Sequence, residues 1–85
     1  MNISKNEQRV LHALAQGGRI TYRRGPNGRI VEAQCFTREG FVLANCTLDV
    51  LRKLRRKRFI ESRSGSAYRI SELGRRNVRA QQDNR

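Results

Sequence analysis

The sequence predicts a single small α+β domain, and three observations carry that prediction. A capping box at Ser4 opens an amphipathic helix, and the dense turn signal GPNG at residues 25–28 separates two β-rich runs. A two-faced basic helix at residues 48–57 is then followed by a second strand–turn–strand pattern. Its 85 residues leave room for one compact core only, since so short a chain buries roughly 60–65% of its unfolded surface. A hydrophobic fraction of 36%, one Pro and 7 Gly lie in the globular range.

The elements follow in order. Ser4-Lys5-Asn6-Glu7 reads S-x-x-E, in which Ser4 takes the amide of Glu7 and Glu7 reaches back to the cap. Behind it Val10, Leu11, Leu14 and Ala15 fall within an arc of about 140° on a helical wheel. Gly17-Gly18 supplies a left-handed stop, so a helix is expected over residues 5–16, with His12 on its polar side. Ile20 and Tyr22 alternate with polar neighbours, and Ile30-Val31 begins a second β run across Gly25-Pro26-Asn27-Gly28. A hairpin of residues 19–24 with 29–36 follows, made basic at base and tip by Arg19, Arg23, Arg24 and Arg29. Phe41-Val42-Leu43 fits a strand and a helical turn equally well, and Glu39 has no assigned duty.

Thr47 caps the next helix, and Asp49 in its first turn suits the dipole. In LRKLRRKR, residues 51–58, six of eight residues are cationic. On the wheel Val50, Leu48, Leu51 and Leu54 cover one side, while Asp49, Arg52, Lys53 and Arg56 gather within about 100° on the other. Such a segment is no solvated tail. With roughly ten residues and no aromatic on its apolar side, it is also a poor membrane-surface helix. Phe59–Ser62 reads as a strand, Arg63–Ser66 as a turn, residues 67–70 as the returning strand, and Ser71 as the cap of a last helix weakened by Gly74. The domain is expected to span residues 1–78, with residues 79–85 as a fraying tail.

Charge is the dominant global signal. Nineteen Lys+Arg against seven Asp+Glu give +12, and the pI is near 11.5. Such a field favours polyanions, nucleic acid first among intracellular ones, with acidic protein surfaces next. No apolar run nears the ~20 residues that cross a bilayer, and MNISKNEQR lacks a secretory signal's apolar stretch, so a cytoplasmic protein without membrane partners is expected. Cys35 and Cys46 show no metal-ligand spacing and, with His12 as the single histidine, read as small buried hydrophobes. With no placeable Ser-His-acid set, no paired carboxylates and no phosphate loop, neither an enzyme nor a cofactor is expected.

The order helix, basic helix, two-stranded hairpin, closing helix resembles a winged helix-turn-helix with two β-hairpins. On that pattern Arg52, Lys53 and Arg56 face outward, Lys57 and Arg58 lie at the helix end, Arg63 stands at the wing, and Arg23 and Arg24 extend the surface. These eight are the candidate contacts for nucleic acid or an acidic partner. Seven Lys/Arg against one Glu in residues 52–63 exceed what solubility requires. Arg52 and Arg56 repel across one helical turn unless an anion sits between them. A face so nearly all cationic suits phosphate better than base edges.

EQRVLHALAQGGRI, TREGFVLANCTLDVLRKL, YRIS and the ending VRAQQDNR resemble the YjhX family of small bacterial proteins, and the likeness spans essentially the whole chain. REG, LANCT and VRAQ-x-DNR are its most specific words. The resemblance implies a toxin of a toxin–antitoxin pair that inhibits DNA topoisomerase I, with an acetyltransferase-like antitoxin as cognate partner. It carries over no functional residues. The leading expectation is such a toxin, acting through a basic winged-helix surface on the enzyme, on DNA, or on both. The runner-up is a DNA-binding transcriptional regulator of winged-helix type that works as a homodimer.

Overall fold

The computed structural model describes residues 3–44 and 46–82. Three helices and two antiparallel sheets follow in the order α1 (Lys5–Ala15), β1 (Arg19–Arg24), β2 (Ile30–Phe36), β3 (Val42–Leu43), α2 (Leu48–Arg56), β4 (Ile60–Glu61), β5 (Arg69–Ile70) and α3 (Glu72–Gln82). The fold is α+β, and in the undecided segment at Phe41–Leu43 the residues Val42–Leu43 form a short edge strand while Phe41 precedes it. The first hairpin is thus a three-stranded sheet in the order β1-β2-β3, and β4-β5 forms the second sheet. α2, the β4-β5 hairpin and α3 follow one another as expected. However, α1 and α2 are not joined by a tight turn: the intervening chain builds the three-stranded sheet instead. The expected tail is helical backbone as far as Gln82, and the rest of it, residues 83–85, lies outside the described residues.

Each helix begins where its cap dictates. Ser4 Oγ accepts from the Glu7 amide at 3.2 Å and Glu7 Oε1 accepts from the Ser4 amide at 3.2 Å, which completes the capping box. Thr47 Oγ1 accepts from the Val50 amide at 3.2 Å. Ser71 Oγ accepts from the Gly74 amide at 3.1 Å while donating to the Arg58 carbonyl at 2.7 Å. Both α1 and α2 end in the same motif, with paired bonds from the two residues after the cap to the last turn. In α1 these run from Gly17 to Leu14 and from Gly18 to Ala13; in α2 they run from Arg58 to Arg55 and from Phe59 to Leu54. The motif needs a left-handed residue, which is Gly17 at φ 107 in one case and Arg58 at φ 62 in the other.

One core serves all elements. Val10, Leu11 and Leu14 from α1, Ile20 and Cys35 from the first sheet, Val50, Leu51 and Leu54 from α2, and Phe59, Tyr68, Ile70 and Val78 are all buried. Ile20 and Tyr68 exchange backbone hydrogen bonds of 2.9 and 2.8 Å, a bridge that couples the two sheets. Tyr22 reinforces it: its ring lies 5.2 Å from that of Tyr68, and its hydroxyl donates to the Gly65 carbonyl at 3.1 Å, in the β4-β5 turn. Gly74 does more than weaken α3. A β-carbon there would stand 2.3 Å from the Phe59 carbonyl oxygen, so the glycine lets the helix lie on the chain just after α2.

Glu7 joins the beginning of the chain to the end of α2. It is buried, and Lys57 Nζ donates to its Oε2 at 2.6 Å. Burial raises its pKa, but the hydrogen bonds from Lys57 and Ser4 and the Lys57 charge outweigh that and hold the carboxyl below its ordinary value. A carboxylate lowered in the folded state stabilises above its ordinary pKa and loses that contribution as the pH falls through the folded value. We therefore expect Glu7→Gln to cost about 1–3 kcal/mol in urea unfolding at neutral pH. The gap to the parent should narrow once the pH drops below 4.5, the ordinary value; a gap independent of pH would mean that the charge is irrelevant. Arg58→Gly should act oppositely and raise stability by about 0.5–1 kcal/mol in the same assay, because glycine adopts the left-handed corner without steric penalty.

Candidate functional site

α2 displays its cations in two strips. Val50, Leu51 and Leu54 anchor the helix in the core. Arg52 and Arg55, with Leu48 and Leu51 beside them, face the tip of the β1-β2 hairpin across a groove of about 480 Å³. Arg24, Gly28, Arg29 and Ile30 form the opposite wall. On the other flank Lys53, Arg56 and Lys57 border a hollow of about 560 Å³ shared with Ile3, Ser4 and Glu7.

The hairpin wall is built by local chemistry. The Gly25 amide donates to the Arg29 carbonyl at 2.7 Å, the Gly28 amide to Gly25 at 3.0 Å, and the Arg29 amide to Asn27 Oδ1 at 3.1 Å. A bulge shifts the register after Arg23, so Arg24 pairs with Ile30 where unbroken pairing would put Val31. Ile30 is therefore buried at the groove while Val31 stays exposed. Arg24 donates to the Gly28 carbonyl at 2.7 Å and lies 5.4 Å over the Tyr22 ring, which steadies its guanidinium. Arg55 lies 5.8 Å over the Tyr68 ring.

The eight candidate cations are not one surface. Arg24 and Arg52 meet in the groove, whereas Lys53, Arg56 and Lys57 line the second hollow. Several are occupied: Arg23 pairs with Glu32 at 3.0 Å, Lys53 with Asp49 at 3.1 Å, Lys57 with Glu7 at 2.6 Å, and Arg63 stands 3.9 Å from Glu61 in the β4-β5 turn. Arg58 is exposed at the left-handed corner. Sequence reasoning did not assign Arg29 and Arg55. Arg55 is three residues from Arg52 and hence on the same side of the helix, a signal present in the sequence. The approach of the hairpin tip to α2, which recruits Arg29, has no local signature.

Among the described residues, no carboxylate lies within 4.0 Å of Arg24, Arg29, Arg52 or Arg55. Four of the seven acids are held elsewhere, so among the described residues the groove's charge is left unbalanced. All four cations are arginines, whose planar forks bind phosphate or carboxylate oxygens in pairs. Elsewhere Cys35 and Cys46 are free and buried. Their side chains share a hydrogen bond, which with burial pushes the Cys46 thiol far up and keeps it protonated. Among the described residues no group of three or more His, Cys, Asp or Glu is placed to hold a metal ion, and no helix is long and apolar enough to cross a membrane.

Replacing Arg52 and Arg55 together by Gln is expected to weaken binding to a mixed-sequence oligonucleotide. The slope of log affinity against log salt should also fall by about 2, since each phosphate contact releases roughly one counterion. Arg23→Gln, already tied to Glu32, should change neither quantity. Fluorescence anisotropy across a salt series measures both, and equal losses from the two variants would place the contact outside the groove.

Comparison with known proteins gives consistent results. A family model described as a "putative toxin of bacterial toxin-antitoxin pair" matches residues 1–85. The chain is 72% identical to a UPF0386 protein of Ruegeria sp. and 66% identical to one of Beijerinckia indica, in each case over 100% of both chains. A UPF0386 protein of Aliivibrio fischeri is 51% identical, again over 100% of both. No solved structure matches. An unbroken family match together with relatives of equal length leads to one assignment: the chain belongs to the YjhX toxin family.

Proposed function

We propose that this protein is the growth-inhibiting toxin of a toxin–antitoxin pair and acts by binding, without catalysis of its own, to stop DNA topoisomerase I. The family description supports the toxin role and implies a cognate antitoxin. The topoisomerase target rests on the resemblance in the sequence. The observation that carries the contact surface is the groove in which Arg24, Arg29, Arg52 and Arg55 converge without carboxylate partners among the described residues.

In this reading α2 and the β4-β5 hairpin play the parts of recognition helix and wing in a winged-helix-like unit. The groove arginines engage phosphates of the DNA that the enzyme must handle, or an acidic patch on the enzyme. Either contact blocks the enzyme without chemistry, because occupying a required surface is sufficient. A phosphate-directed grip also suits a toxin that acts throughout a chromosome, since it is indifferent to base sequence.

Relaxation of supercoiled plasmid by purified topoisomerase I provides the test. Stoichiometric amounts of the protein should suppress relaxation, and the Arg52→Gln, Arg55→Gln double variant should restore most of it. Undiminished relaxation at stoichiometric excess would overturn the proposal.

A further inference from the structure

The groove is similar in size to the hollow on the opposite flank and differs from it in charge, since its cations have no carboxylate within 4.0 Å among the described residues. Its volume of about 480 Å³ falls within the ~300–1,000 Å³ of sites that enclose small ligands. Duplex DNA is read the other way round, by a projecting helix or ribbon entering a major groove about 12 Å wide. On its Arg52/Arg55 flank α2 does not project: the hairpin tip with Arg24 and Arg29 stands against it. That flank accepts a ligand inserted between two walls.

The lining narrows the ligand further. Leu48, half-buried, adds apolar surface to the same groove as the four guanidiniums, with Ile30 and Leu51 buried behind it. A duplex keeps its bases stacked inside and offers such a slot only its sugar–phosphate edge. A single strand offers phosphates and unstacked base faces together, and guanidinium planes and apolar side chains take up both. The division of residue types agrees. The groove cations are all arginine, able to chelate phosphate and to stack, whereas the opposite hollow mixes Arg56 with Lys53 and Lys57, both lysines paired with a carboxylate.

We propose that the groove between α2 and the β1-β2 hairpin tip binds a short single-stranded stretch of nucleic acid, with phosphates on Arg24, Arg29, Arg52 and Arg55 and bases against their guanidinium planes and Leu48. This deepens the reading of the groove as a polyanion site and rests on it, but it does not depend on which enzyme is inhibited. A strand held this way is withheld from any enzyme that must itself grip unpaired DNA.

The test compares a fluorescein-labelled oligo-dT with a hairpin duplex carrying the same number of phosphates, by anisotropy at one ionic strength. The single strand should bind at least about tenfold tighter, and Arg52→Gln with Arg55→Gln should remove at least about tenfold of that affinity. Lys53→Gln with Arg56→Gln, on the other flank, should leave it within about threefold. Urea midpoints matched to the parent show that each variant is folded. Duplex binding as tight as single-strand binding, or equal losses from both double variants, would overturn the inference. If it fails while plasmid relaxation remains blocked, the inhibitor reading survives. If oligo-dT binds as expected while relaxation proceeds, the groove assignment stands and the inhibitor reading falls.

Discussion

The buried carboxylate of Glu7 joins the first helix of the described fold to the second. Glu7 closes the cap of α1 through Ser4 and holds the far end of α2 through Lys57, fifty residues away in sequence. In a chain of net charge +12 most acids would serve as scattered counterions. Glu7 instead fixes where a cationic helix lies relative to the first helix, and hence which of its flanks turns toward the hairpin. Removing one partner of such a pair costs more than the pair contributes net, because the other is left in a poorly hydrated place. The register of α2 against the core therefore depends on this contact as well as on Val50, Leu51 and Leu54.

From that placement the two strips of α2 acquire separate roles. Lys53, Arg56 and Lys57 face one flank, where carboxylates pair the two lysines. Arg52 and Arg55 face the flank where no described carboxylate is near, opposite two more arginines delivered by a tight turn and a bulge. Aromatic rings steady two of the four, Tyr22 beneath Arg24 and Tyr68 beneath Arg55. These tyrosines also hold the β4-β5 hairpin to the first sheet, so the site is braced by the contacts that join the sheets. A groove whose cations are already oriented loses less side-chain freedom when an anion arrives.

Much of this was legible in the sequence because the signals were local. The capping box at Ser4, the stop at Gly17, the turn at Gly25–Gly28, and the caps at Thr47 and Ser71 each depend on residues within a few positions, and each lies where the pattern put it. What escaped depended on distant neighbours. Arg58 takes the left-handed position that Gly17 takes in α1, which no propensity suggests for an arginine. Gly74 looked like a flaw in α3 until the Phe59 carbonyl appeared against it. Lys57 was grouped with the exposed cations because nothing in its surroundings in sequence points to Glu7. The groove itself arises only when the hairpin folds onto α2, so Arg29 could not be joined to Arg52 beforehand.

The short edge strand β3 carries a further consequence. Phe41, just before the strand, and Val42, within it, are 71% and 56% exposed, an apolar rim at the edge of the sheet. Mutual repulsion between strongly cationic copies keeps these rims apart in dilute buffer. Added electrolyte screens that repulsion. Concentrated salt thus yields the species most inclined to cluster through these rims, so ionic strength governs the colloidal behaviour of the chain.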